Sequence, residues 1–286
     1  MRVGLHALGI NAGARREVID AVASAAEAAG FSTLWAGEHV VMVDRSVSRY
    51  PYAPDGQIAV PADADWLDPM IALSFAAAAT RSIRLATGVL LLPEHNPVML
   101  AKQAASLDVL SGGRFALGIG VGWSRDEFAA LGIPFQRRGA RADEYLASMR
   151  TVWRDDPASF AGEFVSFADI RVNPKPVRGA GIPVIVGGNS DAALRRAARA
   201  GDGWYGFNLD GPAHAGERIT QLRDLCQEVG RDPSELDIAV SLAEPRPGVH
   251  FELARLGVDE LVLVASPPAQ PALADDWVSA LQKVLL

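Results

Sequence analysis

The sequence predicts a closed (β/α)8 barrel, the TIM-barrel architecture of the α/β class, with a doubly wound open sheet as the alternative. Three observations carry this. Eight apolar, β-branched runs alternate along the chain with eight runs of helical spacing. Residues 84–117, RLATGVLLLPEHNPVMLAKQAASLDVLSGGRFAL, read strand, loop, helix, turn, strand. Two strands joined by a crossover helix must be parallel neighbours. The chain has 286 residues, 49% of them hydrophobic, a length that α/β barrels use for one domain. The expectation is a single domain over residues 1–286 with insertions at 40–66 and 155–181.

The elements follow in order. The first strand begins near Arg2 and its helix near Arg16, with Gly30 as the C-cap of residues 18–29. The second strand begins near Ser32. Residues 40–66 after it contain Pro51, Pro54, Gly56 and Pro61 and exceed a normal loop. They follow a strand, so they should lie on the active face as a lid or binding segment; the plain alternative is decoration of the barrel rim. Asp68-Pro69 supplies a cap and then a proline at the first helical position. The third strand covers residues 84–89, and a loop closed by Asn96-Pro97 leads to a helix over residues 98–110. Ser111-Gly112-Gly113 stops that helix. The fourth strand, from Arg114, runs into Gly118, Gly120 and Gly122. A helix begins near Arg138. Residues 155–181 form the second long insertion, and GEFVSF at 162–167 predicts a short hairpin. The fifth strand, near Pro183, enters Gly187-Gly188-Asn189-Ser190 and a helix over residues 191–200, capped by Ser190 or Asp191 and ended by Gly201. The last strands begin near Gly203, Leu236 and Asp259, and the last helices near Pro212, Val249 and Pro271.

Composition excludes several classes. A net charge of −7 argues against nucleic acid as the main partner. One cysteine, Cys226, rules out an internal disulfide framework; it lies in a helical run and reads as a packing residue. The start MRVGLHALGI lacks the plan of a signal peptide, and no apolar run approaches the roughly 18 residues of a membrane span. A cytoplasmic protein is expected, with neither a membrane nor a nucleic acid as partner. The five histidines are scattered without metal-ligand spacing, and no G-x-S-x-G occurs. Lys102, Lys175 and Lys283 fall off the predicted strands, which disfavours a cofactor-free aldolase-like barrel.

The candidates for chemistry cluster at strand ends. Glu38-His39 follows the second strand, where a histidine can exchange a proton near neutral pH or merely bond a loop. The run Gly118, Gly120, Gly122 lacks the spacing of a nucleotide fingerprint and marks a close approach of backbone to a ligand or a strand. Gly187-Gly188-Asn189-Ser190 opens a helix, so its free N–H groups and dipole suit a phosphate; the plain alternative is a tight turn with an ordinary cap. Arg125, Arg137, Arg138 and Arg141, and then Arg195, Arg196 and Arg199, are solvated helix faces or holders of an anionic tail. Trp35, Trp123 and Trp204 sit at strand ends, to pack there or to stack on a flat ring.

Two segments, ATGVLLLPEHNPVMLAKQAASLDVLSGGRFALGIGVGW and PKPVRGAGIPVIVGGNSDAALRRAARAGDGWYG, resemble the luciferase-like flavin superfamily, and within it the actinobacterial branch of deazaflavin F420-dependent oxidoreductases. The resemblance spans residues 2–206. It implies a luciferase-like barrel with the cofactor ring at the C-terminal mouth. It implies a non-prolyl cis peptide over Thr87-Gly88-Val89, at Gly88–Val89, backing that ring. Gly120 and Gly122 would flank the ring or its side chain, and Gly187, Gly188, Asn189 and Ser190 would receive the phosphate. His39 would stand near the reactive face, with Glu38 orienting it or touching the cofactor. Trp123 occupies the place where related sugar-phosphate dehydrogenases carry a glutamate proton donor, which turns the reading away from such substrates and toward an apolar pocket. The implied protein is an F420-dependent oxidoreductase, a homodimer, acting on a small organic substrate. An FMN-dependent monooxygenase of the same fold and a non-catalytic flavin- or deazaflavin-binding protein are the alternatives.

Overall fold

The computed structural model describes residues 1–179 and 181–283. Eight parallel strands close the barrel: β1 (Arg2–Leu8), β2 (Thr33–Ala36), β3 (Arg84–Thr87), β5 (Phe115–Gly120), β8 (Val184–Gly187), β9 (Gly203–Leu209), β10 (Asp237–Leu242) and β11 (Glu260–Val264). Their order is β3-β2-β1-β11-β10-β9-β8-β5, and pairing of Leu85 with Phe115 and Ala86 with Ala116 joins β5 back to β3. The short β4 (Leu90–Leu91) adds to the end of β5. Outside lie α1 (Arg16–Ala28), α2 (Pro69–Ala79), α3 (Pro97–Ser111), α4 (Arg125–Ala130), α5 (Arg138–Arg154), α6 (Asp191–Ala200), α7 (Pro212–Glu228), α8 (Val249–Leu256) and α9 (Ala274–Lys283). The predicted (β/α)8 barrel is therefore present. No helix among the described residues is long and apolar enough to cross a membrane.

The caps explain the helix edges. Asp68 accepts from Ile71 N, Asn96 from Val98 N and Met99 N, and Ser190 from Ala193 N, each satisfying first-turn donors. Gly30 and Gly112 adopt left-handed φ of 80° and 70° after their helices, as predicted. Gly201 differs: it caps α6 in an extended conformation, and a Cβ there would lie 2.9 Å from Gly203 O. Glycine is needed at 201 for room, not for handedness. The predicted third strand, residues 84–89, stops at Thr87. The last helix starts three residues late, after a 3-10 turn over Pro271–Leu273. α4 was not expected at all.

Two packed layers hold the barrel. Most strand side chains pack outward on the helices, and Cys226 is buried there in α7. Inside, Trp35, Ala86, Ala116, Ile185, Tyr205, Ala239 and Val262 fill the lumen, with large rings set against alanines so that the layer closes without a pore. Trp35 is fully buried and packs 4.7 Å from Tyr205, so it is a lumen residue and is not free to stack on a ligand. The insertion at 155–181 contains a hairpin where one is predicted, with β6 (Ala158–Ala161) and β7 (Ser166–Ile170) joined by residues 162–165, so that the predicted segment 162–167 supplies the turn and the start of β7. Glu144 of α5 accepts from the N–H groups of Glu163, Phe164 and Val165, pinning the hairpin tip to α5.

Candidate active site

The barrel mouth is built around a break in β3. Gly88–Val89 is a cis peptide, at the position the resemblance implied. The Thr87 hydroxyl is buried and donates to Gly118 O at 2.6 Å, so that group is already engaged. Val89 lies between two strand ends. A Cβ on Gly120 would come within 2.7 Å of Val89, and one on Gly187 within 2.5 Å. Glycine at both positions lets a β-branched side chain form an apolar shelf across the mouth. Gly122, at φ +74°, leaves room for the Phe128 ring, and its carbonyl accepts from Arg138 Nε at 2.9 Å.

The Gly187–Ser190 turn opens α6. Gly188 sits at φ +114°, and a Cβ there would lie 3.3 Å from Ala193 and 3.4 Å from the Tyr52 hydroxyl. Its carbonyl accepts from Trp204 Nε1 at 2.8 Å, so Trp204 is a structural ring too. Asn189 makes two hydrogen bonds with the backbone of Phe207 and so fixes the turn to β9. This cradle, which a side chain at 188 would fill, ends on the N-terminus of α6 beside the Ser190 hydroxyl, which also accepts from Ala193 N. Its donor set fits a phosphate-bearing cofactor.

Glu38 and His39 point apart, as neighbours on an extended segment do. Buried Glu38 accepts from Leu91 N at 2.5 Å and from His95 Nε2 at 2.9 Å. It does not orient His39. That role falls to Glu127 of α4, whose Oε2 is 2.8 Å from His39 Nδ1 while Oε1 accepts from Val40 N and Val41 N. The imidazole stands edge-to-face with Trp66 at 4.9 Å and Trp123 at 5.6 Å. Two Glu–His pairs thus replace the one expected. The Glu38 carboxylate raises the His95 pKa, against the opposing effect of burial.

A third carboxyl group lies beside them. Both oxygens of Glu94 are buried without a hydrogen-bond partner among the described residues, and one is 3.2 Å from a Cβ built on Gly122. Burial, with the charges of Glu127 and Glu38 next, pushes its pKa from 4.5 up to about 9. The folded chain therefore holds a proton that the unfolded chain releases. This group's contribution to stability is complete below pH 4.5 and declines as pH rises toward 9. Glu94→Gln is expected to remove that decline, so its melting temperature exceeds that of the wild type by about 2–4 °C at pH 8 and by little near pH 5. Parallel melting curves with no pH-dependent gap between the two proteins would contradict a protonated Glu94.

Residues 40–66 cover the mouth as expected, and three anchors hold them. Asp126 accepts from Ser46 Oγ at 2.7 Å, Val47 N at 3.0 Å and Ser48 Oγ at 3.1 Å. Asn208 Nδ2 donates to Tyr52 O at 2.9 Å, and Trp66 Nε1 to Gly37 O at 3.0 Å. The basic clusters mostly do not reach the mouth. Arg125 and Arg138 lie over Phe135 at 4.2 and 3.9 Å, Arg137 pairs with Glu163, Arg141 donates to Pro134 O, and Arg196 pairs with Asp143. Among the described residues no group of three His, Cys, Asp or Glu side chains could hold a metal ion.

Sequence reasoning missed Glu127, His95, Glu94 and the tyrosines of the lid. Only Glu127 carried a usable mark: Ser124-x-x-Glu127 is a capping-box spacing, and Ser124 Oγ does accept from Glu127 N at 3.2 Å.

A parallel barrel whose mouth joins a cis bulge, a glycine-lined turn at a helix N-terminus and a carboxylate-oriented histidine has the parts of a flavin-type oxidoreductase. Residues 3–243 match the family described as luciferase-like monooxygenase, and the chain belongs to that family. An uncharacterized protein of Mycobacterium tuberculosis is 36% identical over 265 residues, 92% of this chain and 91% of that one. An FMNH(2)-dependent dimethylsulfone monooxygenase of Pseudomonas putida is 35% identical over 134 residues, 46% of this chain and 36% of its own. Two solved structures share the fold. The monooxygenase RslO1 of Streptomyces bottropensis has a TM-score of 0.77 at 21% identity, covering 100% of this chain and 98% of that one. The coenzyme F420-dependent tetrahydromethanopterin reductase of Methanopyrus kandleri has a TM-score of 0.75 at 16% identity, covering 99% and 98%.

Proposed function

We propose that the protein is an F420-dependent oxidoreductase that moves a hydride between C5 of the deazaflavin and a carbon of a small organic substrate. The observation that carries this reading is His39, fixed by Glu127 at a mouth that also holds the Val89 shelf and the Gly187–Ser190 cradle. Likeness of fold to an F420-dependent reductase supports it as well.

The cofactor supplies two-electron hydride chemistry, and the barrel supplies position and electrostatics. The first turn of α6, with Gly188 and the Ser190 hydroxyl, would bind the phosphate. Val89, Gly120 and Gly187 would back the ring. His39 holds or delivers the proton that accompanies hydride transfer, through Nε2, because Nδ1 is engaged by Glu127. Residues 40–66 exclude water from the reacting centre.

The similarity to an FMNH(2)-dependent monooxygenase favours one competing reading. Parallel titrations with F420 and FMN, followed by tryptophan fluorescence, separate the two. Saturable F420 binding at micromolar concentration without comparable FMN binding is expected. The reverse preference moves the protein to the FMN monooxygenases, and binding of neither ends the cofactor reading.

A further inference from the structure

We infer that the substrate is an uncharged molecule with a ring or a compact apolar body, selected by an arc of aromatic side chains that the lid completes. This rests on the oxidoreductase reading for the location of the site, not for the identity of the cofactor.

The first observation is how the lid sorts its residues. Residues 40–66 contain six charged side chains, Asp44, Arg45, Arg49, Asp55, Asp63 and Asp65, and all six are exposed. They contain three aromatic side chains, Tyr50, Tyr52 and Trp66, and all three are half-buried. A lid built to hold an anionic substrate would turn some of its cations inward. This one leaves both its arginines, Arg45 and Arg49, exposed, and its half-buried side chains are the rings together with aliphatic residues such as Val41, Met42, Ile58 and Val60.

The second observation is that these rings join others from the barrel in one continuous chain. Trp66 meets His39 at 4.9 Å, His39 meets Trp123 at 5.6 Å, and Trp123 meets Tyr50 at 5.2 Å. Tyr50 then meets Tyr52 at 5.3 Å, and Tyr52 meets Phe207 at 5.3 Å. Phe207 reaches His6 of β1 at 6.2 Å. The arc therefore runs from the proton-handling His39 to the Gly187–Ser190 turn, which Asn189 ties to Phe207. Its contacts are edge-to-face, with interplanar angles from 61° to 82°, the arrangement aromatic pairs favour.

The third observation is that, among the described residues, no cation is seated on the arc, and the charged group that touches it, Glu127 at 2.8 Å from His39, is an anion. Among the described residues every cation seated over a ring sits on Phe75, Phe135 or Phe164, none of which belongs to the arc. Burial lowers His6 to about 4, so it is neutral at pH 7, and burial raises Tyr50 and Tyr52 above the ordinary phenol range. A phosphate or carboxylate on the substrate would be desolvated here without a partner, which is costly. A cyclic ketone, enone or alcohol gains ring contacts and needs only His39 for its oxygen.

The test is saturation-transfer NMR on the full chain, with and without F420, using cyclohexanone, acetophenone, glucose 6-phosphate and 2-oxoglutarate at equal concentration. Transfer to the two neutral ketones and none to the anions is expected. Tyr50→Ala, on the lid, and Trp123→Ala, on the barrel, are each expected to weaken acetophenone binding about tenfold. F420 affinity, read by its own fluorescence, should change less than about twofold in both variants. Two variants on different elements guard against local collapse of the lid. Stronger transfer to the anions, or none to the ketones, overturns the inference. So does a variant that loses F420 affinity and keeps its ketone affinity, because the arc would then belong to the cofactor. Failure of F420 to bind at all defeats the cofactor reading alone, since the ketone-against-anion comparison is still read on the chain without it.

Discussion

His39→Ala is expected to lower turnover by about 10²–10⁴-fold while changing cofactor affinity less than about twofold. The reasoning is local. The imidazole is held on one side by Glu127 at 2.8 Å and between Trp66 and Trp123, and no described protein group engages its Nε2. Burial depresses His6, the other imidazole of the arc, to about 4, and its Nδ1 faces the Tyr205 hydroxyl. A hydride arriving at a carbonyl carbon leaves negative charge on oxygen, and a proton must meet it there. The phosphate cradle and the Val89 shelf lie on other strands, so the cofactor should still bind. The check is kcat, KM and F420 Kd on the same preparation. Unchanged kcat removes His39 from the chemistry; a Kd that rises with the fall in kcat makes it a cofactor ligand instead.

Much of this site was legible in the chain, for identifiable reasons. The barrel was readable because each strand and helix advertises itself locally, through apolar runs, caps such as Asp68-Pro69 and stops such as Ser111-Gly112-Gly113. Gly187–Ser190 was readable because a glycine turn entering a capped helix has one shape. What was hidden is tertiary. Glu38-His39 looks like one functional pair in sequence. In space the partner of His39 is 88 residues away and the partner of Glu38 is 57 away. The three tryptophans at strand ends were indistinguishable until the lumen claimed Trp35 and the Gly188 carbonyl claimed Trp204, leaving Trp123 at the mouth. The arginine clusters read equally as solvated faces or as anion holders, because only the fold shows that Arg125 and Arg138 lie over Phe135 and that Arg137 and Arg141 lie over Phe164. Proline-rich residues 40–66 announced a lid, but only the fold shows that their charges face out and their rings in.

Glu127 is where stability and chemistry should come apart. Its side chain is buried and serves three donors: His39 Nδ1, Val40 N and Val41 N. Glu127→Ala strands all three, and losing one member of such a buried set costs about 3–5 kcal/mol, a drop in melting temperature of roughly 5 °C or more. Glu127→Gln has a different outcome. The amide oxygen can still accept from Val40 and Val41, so the lid anchor and most of the stability should persist. The amide nitrogen then faces His39 Nδ1, and a donor there requires that nitrogen to be an acceptor. The ring proton must move to Nε2, the opposite tautomer to the one a carboxylate selects. Turnover is therefore expected to fall roughly 10²-fold with a nearly native melting curve. The imidazole nitrogen chemical shifts of His39 should exchange between Nδ1 and Nε2 relative to the wild type. If the shifts exchange and turnover is unaffected, the tautomer is irrelevant and His39 acts only as a neutral hydrogen-bond or packing group. If neither changes, Glu127 is no more than an anchor for the lid.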